Sequence, residues 1–353
     1  MTNKLSTSQF FLLATVLICT FKLNKFAPLI YKDFNSCTIL VVTFYVLFDF
    51  LLTFFIYLLA KKDFFYSISN KRQLFLSVSL SVFIAIKLAV YFFDEGNFIN
   101  NYLVKDMKIW LVYLILFVVA ICFSRFGLNS LARTNEILLP LVVLLLILNL
   151  VFMRVEFKFN YTVPVLTEWK GFNSVFSYFI YSFDSLPLIV CSIKDRNERK
   201  KKTVLSISSI ILGVIFVFLI VYFGISIYGM SFKDVDNLYV KIAIFNDYNL
   251  TFGRLDWIGV ICYLFCSIMV CLCYIIALKY TTQIATKTKR NTSIIYVIFV
   301  YFILLFYLVD EKIVQTLSIK YLGYIVFYLA SFSLLLMLFL QIWGQNDKKD
   351  TKK

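Results

Sequence analysis

Ten apolar stretches, each roughly 18 to 26 residues long, cover most of this chain of 353 residues. A bilayer core about 30 Å thick needs about 20 residues of helix, since each residue adds about 1.5 Å. The sequence therefore predicts an all-α multi-pass membrane protein with about ten transmembrane helices. We place them near residues 8–30, 38–60, 73–93, 108–126, 135–153, 172–193, 204–229, 256–279, 292–309 and 319–343.

The composition agrees with a membrane solvent. Hydrophobic residues make up 61% of the chain and the mean hydropathy is +0.86, well above the average for soluble domains. The formal net charge of +15 suggests nucleic acid at first, but the basic residues lie in short loops between spans and form no patch. Lys and Arg concentrate in alternate loops, for example at 194–202, which predicts cytoplasmic termini and contact with anionic lipid.

Enzymatic chemistry has little support. The chain contains no His, so the commonest general base and metal ligand is missing. No Gly-rich phosphate loop and no C-x-x-C pair is present. Cys262 and Cys266 share a helical face, but packing between helices explains small polarizable side chains there better than a metal or redox site does. We therefore predict no catalytic residue, no metal and no cofactor.

Ionisable residues inside the predicted spans carry the functional information, because a charge at mid-bilayer costs at least about 2.5 to 3.5 kcal/mol. They are Lys22 with Lys25 in span one, Asp49 in span two, Lys87 in span three and Asp184 in span six. Lys25 and Lys87 are open to a second interpretation, in which they snorkel to the outer interface. For Lys22 and Asp184 the sequence favours a polar cavity.

Spans one and six share a pattern: Pro28 follows Lys22, and Pro187 follows Asp184. Proline removes a backbone donor and clashes with the preceding turn, which predicts a kink or break in each helix. Paired interruptions at corresponding positions of two five-helix halves are typical of inverted-repeat transporters with a central site. Two independent kinks are the alternative. The predicted organisation is one domain, 1–353, with halves at 8–153 and 172–343.

The predicted ligand site takes the polar residues around both interruptions together with the lysine of span three. A transporter-like central site would be built from the ends of the half-helices and from these side chains. The predicted site residues are Lys22, Asn24, Lys25, Lys87, Asp184 and Ser185.

Three local patterns resemble one family. After span four the chain reads SLARTNEI at 130–137, before span eight it reads FGRLD at 252–256 behind a membrane-proximal stretch at 238–249, and after span one it reads PLIYKD at 28–33. Their order and spacing are similar to those of the spore germination permeases, the B subunits of GerA-type germinant receptors. The similarity extends over essentially the whole chain.

This resemblance implies a LeuT-like five-plus-five inverted repeat with broken helices one and six, as in the amino acid, polyamine and organocation transporter superfamily. It also implies sensing of a small nutrient, with A-type and C-type receptor subunits as partners, in the inner membrane of a spore. The chain departs from the family in span one, where 21–25 replaces glycine and small residues. Lys22 there is expected either to pair with Asp184 or to take a substrate carboxylate.

Four charged residues in the family-like patterns have a gating and a structural interpretation. Arg133 and Glu136 have the spacing of an i,i+3 pair at the turn between spans four and five, which favours a structural role. Arg254 and Asp256 stand at the outer end of span eight, where both suit an outer gate; equally, Asp256 suits a helix N-terminus.

Three classes of function stay open. The first is a receptor subunit that binds a nutrient germinant and is not an enzyme. The second is a secondary amino acid or organocation permease, and the third is a membrane scaffold.

Overall fold

The computed structural model describes residues 5–60, 70–105, 107–151, 177–189, 201–244, 256–286, 298, 300–301, 321, 323–333 and 335. Within these ranges the ordered elements are helices, and no strand occurs among them. The prediction of an all-α chain is confirmed for this part of the molecule.

The helices alternate with short irregular connections. The α-helices are α1 (Thr7–Phe21), α2 (Ala27–Phe34), α3 (Thr38–Ala60), α4 (Asn70–Tyr102), α5 (Ile109–Ser124), α6 (Gly127–Val151), α7 (Lys201–Tyr228), α8 (Leu238–Ile244), α9 (Asp256–Thr286) and α10 (Gly323–Ser333). A π-helical turn, Lys22–Phe26, joins α1 to α2. Short 3₁₀ segments are Asn35–Cys37, Ser177–Tyr181, Leu186–Ile189 and Gly229–Asp234.

Five helices of the described residues are long and apolar enough to cross a membrane. They are Ser8–Phe34, Leu74–Tyr102, Gly127–Leu148, Ile211–Asp234 and Trp257–Thr286. Shorter apolar helices lie at Thr38–Phe54, Ile109–Phe123 and Gly323–Ser333. Span 292–309 falls almost wholly outside the described residues. The molecule is thus a multi-pass membrane protein, and the count of ten spans with its five-plus-five repeat remains a prediction.

The start of α1 is fixed locally by a capping box. The Ser6 hydroxyl accepts a hydrogen bond from the Gln9 backbone N–H at 3.2 Å, and the Gln9 side chain accepts one from the Ser6 N–H at 3.1 Å. This reciprocal pair satisfies two of the backbone donors that a helix leaves open at its N-terminus.

Span one is not broken, so the broken helix one that the family resemblance implies is absent. Its backbone stays helical from Thr7 to Phe34 and widens into one π turn, Lys22–Phe26. The stretch contains no glycine, whose freedom favours an irregular backbone, and Pro28 lies directly after the π turn, as the second residue of α2. Single π turns inside α-helices occur frequently at functional sites.

The helices divide into a central and a peripheral group. Of the 18 residues in the apolar stretch that qualifies each helix as a span, 83% are buried in Ser8–Phe34 and 78% in Trp257–Thr286, whereas only 28% are buried in Gly127–Leu148. α9 packs most extensively against α4, and α1 packs against α6, α7 and α9. Span one and α9 therefore form the centre of the molecule, while α6 lies at its surface.

Two helices are longer than the sequence indicates. α4 continues to Tyr102, so Asp94 and Glu95 belong to the helix and are buried within it. α6 begins at Gly127, which has a φ of +78° suited to glycine. Arg133 and Glu136 consequently lie inside α6, and the turn after α5 is made by Arg125 and Phe126.

Candidate functional site: a buried charge cluster at the break in span six

Span six is interrupted in the middle, as Asp184 and Pro187 predict. The chain leaves a 3₁₀ segment at Tyr181 and re-enters one at Leu186, and the four residues between are not helical. Phe183 has a φ of +63°, a conformation that costs a residue with a Cβ about 1–2 kcal/mol. The interruption leaves backbone polar groups in a buried segment, where each needs a partner.

Two charged side chains from other helices supply those partners. Asp49 of α3 accepts a hydrogen bond from the Phe183 N–H at 2.7 Å. Lys87 of α4 donates to the Ser182 carbonyl oxygen at 2.5 Å. Asp49 and Lys87 therefore satisfy two backbone groups of the broken segment, one as acceptor and the other as donor. Neither side chain has any exposed surface.

Asp184 is the acceptor at the centre of the cluster. One carboxylate oxygen accepts from Lys22 at 2.9 Å, and the other accepts from Lys87 at 2.5 Å and from the Tyr274 hydroxyl at 3.2 Å. The Tyr91 hydroxyl donates to the same oxygen as Lys87. These donors come from span one, α4 and α9, so Asp184 ties three helices to the broken segment.

Lys22 completes the cluster by contacting both acids. Its ammonium group forms ion pairs with Asp49 and with Asp184, and its side chain is wholly buried. The charge cluster, defined as Lys22, Asp49, Lys87 and Asp184, therefore contains two cations and two anions and has no net charge. Mutual pairing and hydrogen bonding are the conditions under which charges are retained in a low-dielectric interior.

Aromatic rings enclose the cluster on the α4 and α9 side. Phe21 stacks on Tyr91 with 3.9 Å between ring centroids, and Tyr91 meets Tyr274 edge to face at 5.1 Å. The Lys87 ammonium lies 5.0 Å from the centroid of the Tyr91 ring, within the range of a cation–π contact. Phe21 and both tyrosines are buried.

A second polar layer lies one turn further along span one. Lys25 pairs with Asp94 at 3.2 Å, and the Tyr181 hydroxyl donates to the other oxygen of Asp94 at 3.2 Å. The Asn24 amide donates to the Tyr263 hydroxyl at 2.5 Å. The Lys25 side chain is 28% exposed, so this layer is more open than the charge cluster.

Spans one and six lie side by side in opposite directions. Lys22 contacts Asp184, whereas Asp33, further along span one, accepts from the Tyr178 hydroxyl at 2.7 Å. Residue numbers therefore rise on one segment as they fall on the other. The predicted proximity of Lys22 in span one to Asp184 in span six is present.

The predicted ligand-site residues lie in the charge cluster or next to it. Lys22, Lys87 and Asp184 meet in the charge cluster, and Lys25 and Asn24 lie in the layer beside it. Ser185 is buried in the broken segment, and within the described part of the chain its hydroxyl oxygen has no hydrogen-bond partner. Lys87 does not snorkel, since its side chain is fully buried.

The predicted Arg133–Glu136 pair does not form among the described residues. Arg133 is exposed, and Glu136 accepts a hydrogen bond from the Gln9 side chain of α1 at 3.1 Å. Both residues lie far from the turn that they were expected to hold. Arg254 lies outside the described residues, and Asp256 is the first residue of α9. Their role as an outer gate stays a prediction.

The sequence-based prediction of the site omitted Asp49, a member of the charge cluster, and two tyrosines that donate hydrogen bonds to Asp184, Tyr91 and Tyr274. Asp49 carried a signal, a charge in the middle of span two, but its partners are distant in the sequence. Tyr91 and Tyr274 carried none, since they are two of 23 tyrosines in a chain rich in aromatic residues. Their role is visible only once α4 and α9 are packed together.

Comparison with known families agrees with this architecture. The model of a family described as spore germination protein, the spore permeases, matches residues 4–314. The chain belongs to this spore germination permease family. A search among curated proteins finds no match.

Membership of the spore germination permeases confirms the family indicated by the three short sequence patterns. The match begins before α1 and ends beyond α9, so it includes every residue of the charge cluster. The chain is therefore a germination-related membrane permease by family.

Lys25→Met is expected to have a smaller effect in this spore germination permease than a change at Lys22. Lys25 is 28% exposed, but its partner Asp94 is 5% exposed, so the variant leaves a buried carboxylate that keeps a hydrogen bond from the Tyr181 hydroxyl. We expect the free energy of unfolding in detergent to fall by about 1–3 kcal/mol. Thermal unfolding read by a thiol-reactive dye measures this in a Cys122→Ser background, because Cys122 is exposed whereas Cys262, Cys266, Cys271 and Cys273 are buried. A loss as large as that of a Lys22 variant would contradict the assignment.

Proposed function

We propose that this protein is the membrane-embedded, germinant-sensing subunit of a spore germination receptor. In this proposal a small nutrient such as an amino acid binds at the charge cluster, where the broken segment of span six crosses span one. The family match over residues 4–314 supports the process. The burial of two lysines and two aspartates against a broken helix is the observation that carries the site.

The neutrality of the cluster favours a zwitterion as the ligand. The contact between Lys22 and Asp184 is one positive and one negative group at 2.9 Å. A ligand with a single charge would leave one of these partners buried and unpaired, which is strongly unfavourable. An amino acid carries one group of each sign, so its carboxylate can replace Asp184 at Lys22 while its ammonium group replaces Lys22 at Asp184.

Such an exchange supplies a signal. Inserting a ligand between Lys22 and Asp184 separates span one from the broken segment, and Lys87 and Asp49 hold that segment through its backbone. A ligand shifts a conformational equilibrium only by binding one arrangement more tightly than another. The exchanged ion pairs provide this difference in affinity between the two arrangements. The proposed A-type and C-type subunits then respond to the movement of span one relative to the broken segment.

The proposal includes an orientation and an architecture. Both termini lie on the cytoplasmic side of the spore inner membrane, and the single domain of two five-helix halves has the LeuT-like arrangement. The protein performs no catalysis and works without nucleic acid. The excess of Lys and Arg in alternate loops supports the orientation.

Deletion of the gene in its native spore former tests the receptor function. Spores of the deletion strain are screened for germination against individual nutrients, and a complemented strain serves as control. We expect loss of the response to at least one nutrient and its return on complementation. A normal response to every nutrient would overturn the proposal. Neighbouring genes for A-type and C-type subunits would support it.

A secondary amino acid or organocation permease is the alternative, because buried lysine–aspartate pairs are also found where transporters move ions and substrates. The two functions differ in what the chain does alone. Uptake of the identified nutrient by vesicles containing only this protein would favour the permease. Binding without uptake would favour the sensing subunit.

A further inference from the structure

Glu95 stands apart from the charge cluster and has no role in the function proposed above. It lies on α4 and is 1% exposed. Neither of its carboxylate oxygens has a donor in hydrogen-bonding geometry among the residues that the structure describes, although the hydroxyls of Ser267 and Tyr263 lie close to it. An ionised carboxylate without a partner is very costly in a low-dielectric interior, so a bound cation or proton would stabilise Glu95 where it lies.

The neighbouring charges do not neutralise Glu95. Asp94, the adjacent acid on α4, adds to the negative charge there, and Lys25 is engaged with Asp94 at 3.2 Å. The groups that face the Glu95 carboxyl from α9 are the hydroxyls of Ser267 and Tyr263 and the thiol of Cys271. None of them is a cation.

A second unpartnered oxygen lies beside the same tyrosine. The Asn24 amide donates to the Tyr263 hydroxyl at 2.5 Å, while its carbonyl oxygen is buried and lacks a partner within the described ranges. Asn24 belongs to the π turn of span one, so two separate helices present unsatisfied acceptors near Tyr263. The Ser267 hydroxyl donates to the Leu264 carbonyl at 3.0 Å, which leaves its oxygen lone pairs available.

We propose that Glu95, with Asn24, Tyr263 and Ser267, forms a binding site for a monovalent cation, a proton or a sodium ion. All four side chains offer oxygen, the ligand that hard cations prefer. One positive charge neutralises one carboxylate, whereas a divalent ion would leave a net positive charge in a buried site. The site joins span one to α4 and α9, and its existence does not depend on nutrient sensing.

Thermal unfolding of the purified full-length protein in detergent, with no nutrient added, tests the site. Midpoints are measured across mildly acidic to mildly alkaline pH, in sodium chloride and in choline chloride at equal ionic strength. For a sodium site, the wild-type midpoint rises with sodium at fixed pH. For a proton site, it falls with increasing pH in choline chloride, because the carboxylate then loses its neutralising proton.

Glu95→Gln is the decisive variant, since glutamine has the shape of the neutral acid and needs no cation. We expect whichever dependence the wild type shows to be lost in Glu95→Gln and kept in Asp234→Asn, a change of an exposed acid. A wild type insensitive to both ions would overturn the proposal. So would a Glu95→Gln protein with the wild-type dependence.

Infrared difference spectroscopy tests the site in the wild-type protein, so it does not depend on whether a Glu95 variant folds. Spectra of the wild type are recorded between mildly acidic and mildly alkaline pH, where exposed carboxyls are already ionised, and between choline and sodium. A carboxylic acid band that disappears over this pH range supports the proton. A carboxylate band that shifts with sodium supports the ion. If the sodium ion lies at this site, Ser267→Ala should lower the sodium affinity measured from that shift by about 10-fold. Absence of both bands would contradict the site.

Discussion

Asp184→Asn is expected to destabilise the protein by about 3–5 kcal/mol and to abolish the germination response. The substitution keeps the size of the side chain and removes its charge. Lys87 then loses its only carboxylate partner among the described residues while remaining fully buried, and Tyr91 and Tyr274 lose an ionised acceptor. Breaking one side of a buried ion pair has this large effect because the remaining charge is left uncompensated.

The measurement combines unfolding and function. Thermal unfolding of the purified variant in detergent is read through its buried cysteines, and spores carrying the variant are tested with the nutrient identified in the deletion screen. Asp234→Asn is the matched control: its side chain is exposed, and we expect a change within about 0.5 kcal/mol. An Asp184→Asn protein with wild-type stability and response would show that the ion pairs are dispensable.

Tyr274→Phe separates folding from function at the same carboxylate. It removes one hydroxyl donor, at 3.2 Å from Asp184, and leaves all four charges of the cluster in place. Loss of one hydrogen bond costs about 0.5–1.5 kcal/mol, so the protein should fold. A reduced response at near-normal stability would then be an effect on the site itself.

The second large effect is expected at Lys22, and it should be reversible by a second substitution. Lys22→Met leaves two carboxylates, Asp49 and Asp184, with Lys87 as the only cation in the cluster. We expect a loss of about 3–5 kcal/mol. Adding Asp49→Asn restores neutrality, and the amide oxygen of asparagine still accepts a hydrogen bond from the Phe183 N–H. The double variant should therefore be more stable than Lys22→Met alone.

A double-mutant cycle quantifies this compensation. The interaction free energy between Lys22 and Asp49 is expected to reach about 0.5–3 kcal/mol, the range for residues in one ion-pair network. Lys22→Met combined with Asp33→Asn is the control, because Asp33 accepts a hydrogen bond from Tyr178 near the C-terminal end of span one, away from the charge cluster. Equal stabilities of the two double variants would mean that the loss at Lys22 arises from packing and not from charge.

Local rules predicted the interruption of span six because the signal was local. Asp184 and Pro187 lie three residues apart, and a charge and a proline in an apolar helix both disfavour a regular backbone there. The same reasoning allowed a kink or a break in span one, and the break is absent. There, Phe21 to Lys25 lacks the freedom of glycine, and the backbone widened without breaking.

The pairings within the site are tertiary and could not be derived from spacing. Lys22 and Asp184 are separated by 162 positions, and Lys87 and Asp184 by 97. The sequence allowed Lys22 two roles, pairing with Asp184 or holding a substrate carboxylate, and the first is present. Asp49 was visible as a charge within a span, but only the position of Phe183 reveals that it caps a broken backbone.

Glu95 was missed for a different reason. The apolar run of span three ends at Phe93, so the acids that follow suggested the beginning of a loop. The helix continues to Tyr102 because Asp94 finds Lys25 and Tyr181 as partners. Hydropathy alone cannot distinguish a charge that ends a span from one that is paired inside the protein.

The π turn of span one has an evolutionary consequence. A π turn accommodates one residue more than the α-helical path that it replaces, and each residue of an α-helix advances by about 100°. Deleting one codon within 22–26 would therefore return span one to a plain α-helix and rotate Asp33 away from Tyr178 relative to α1. One residue more or less in this turn is therefore sufficient to change which face of α2 meets span six.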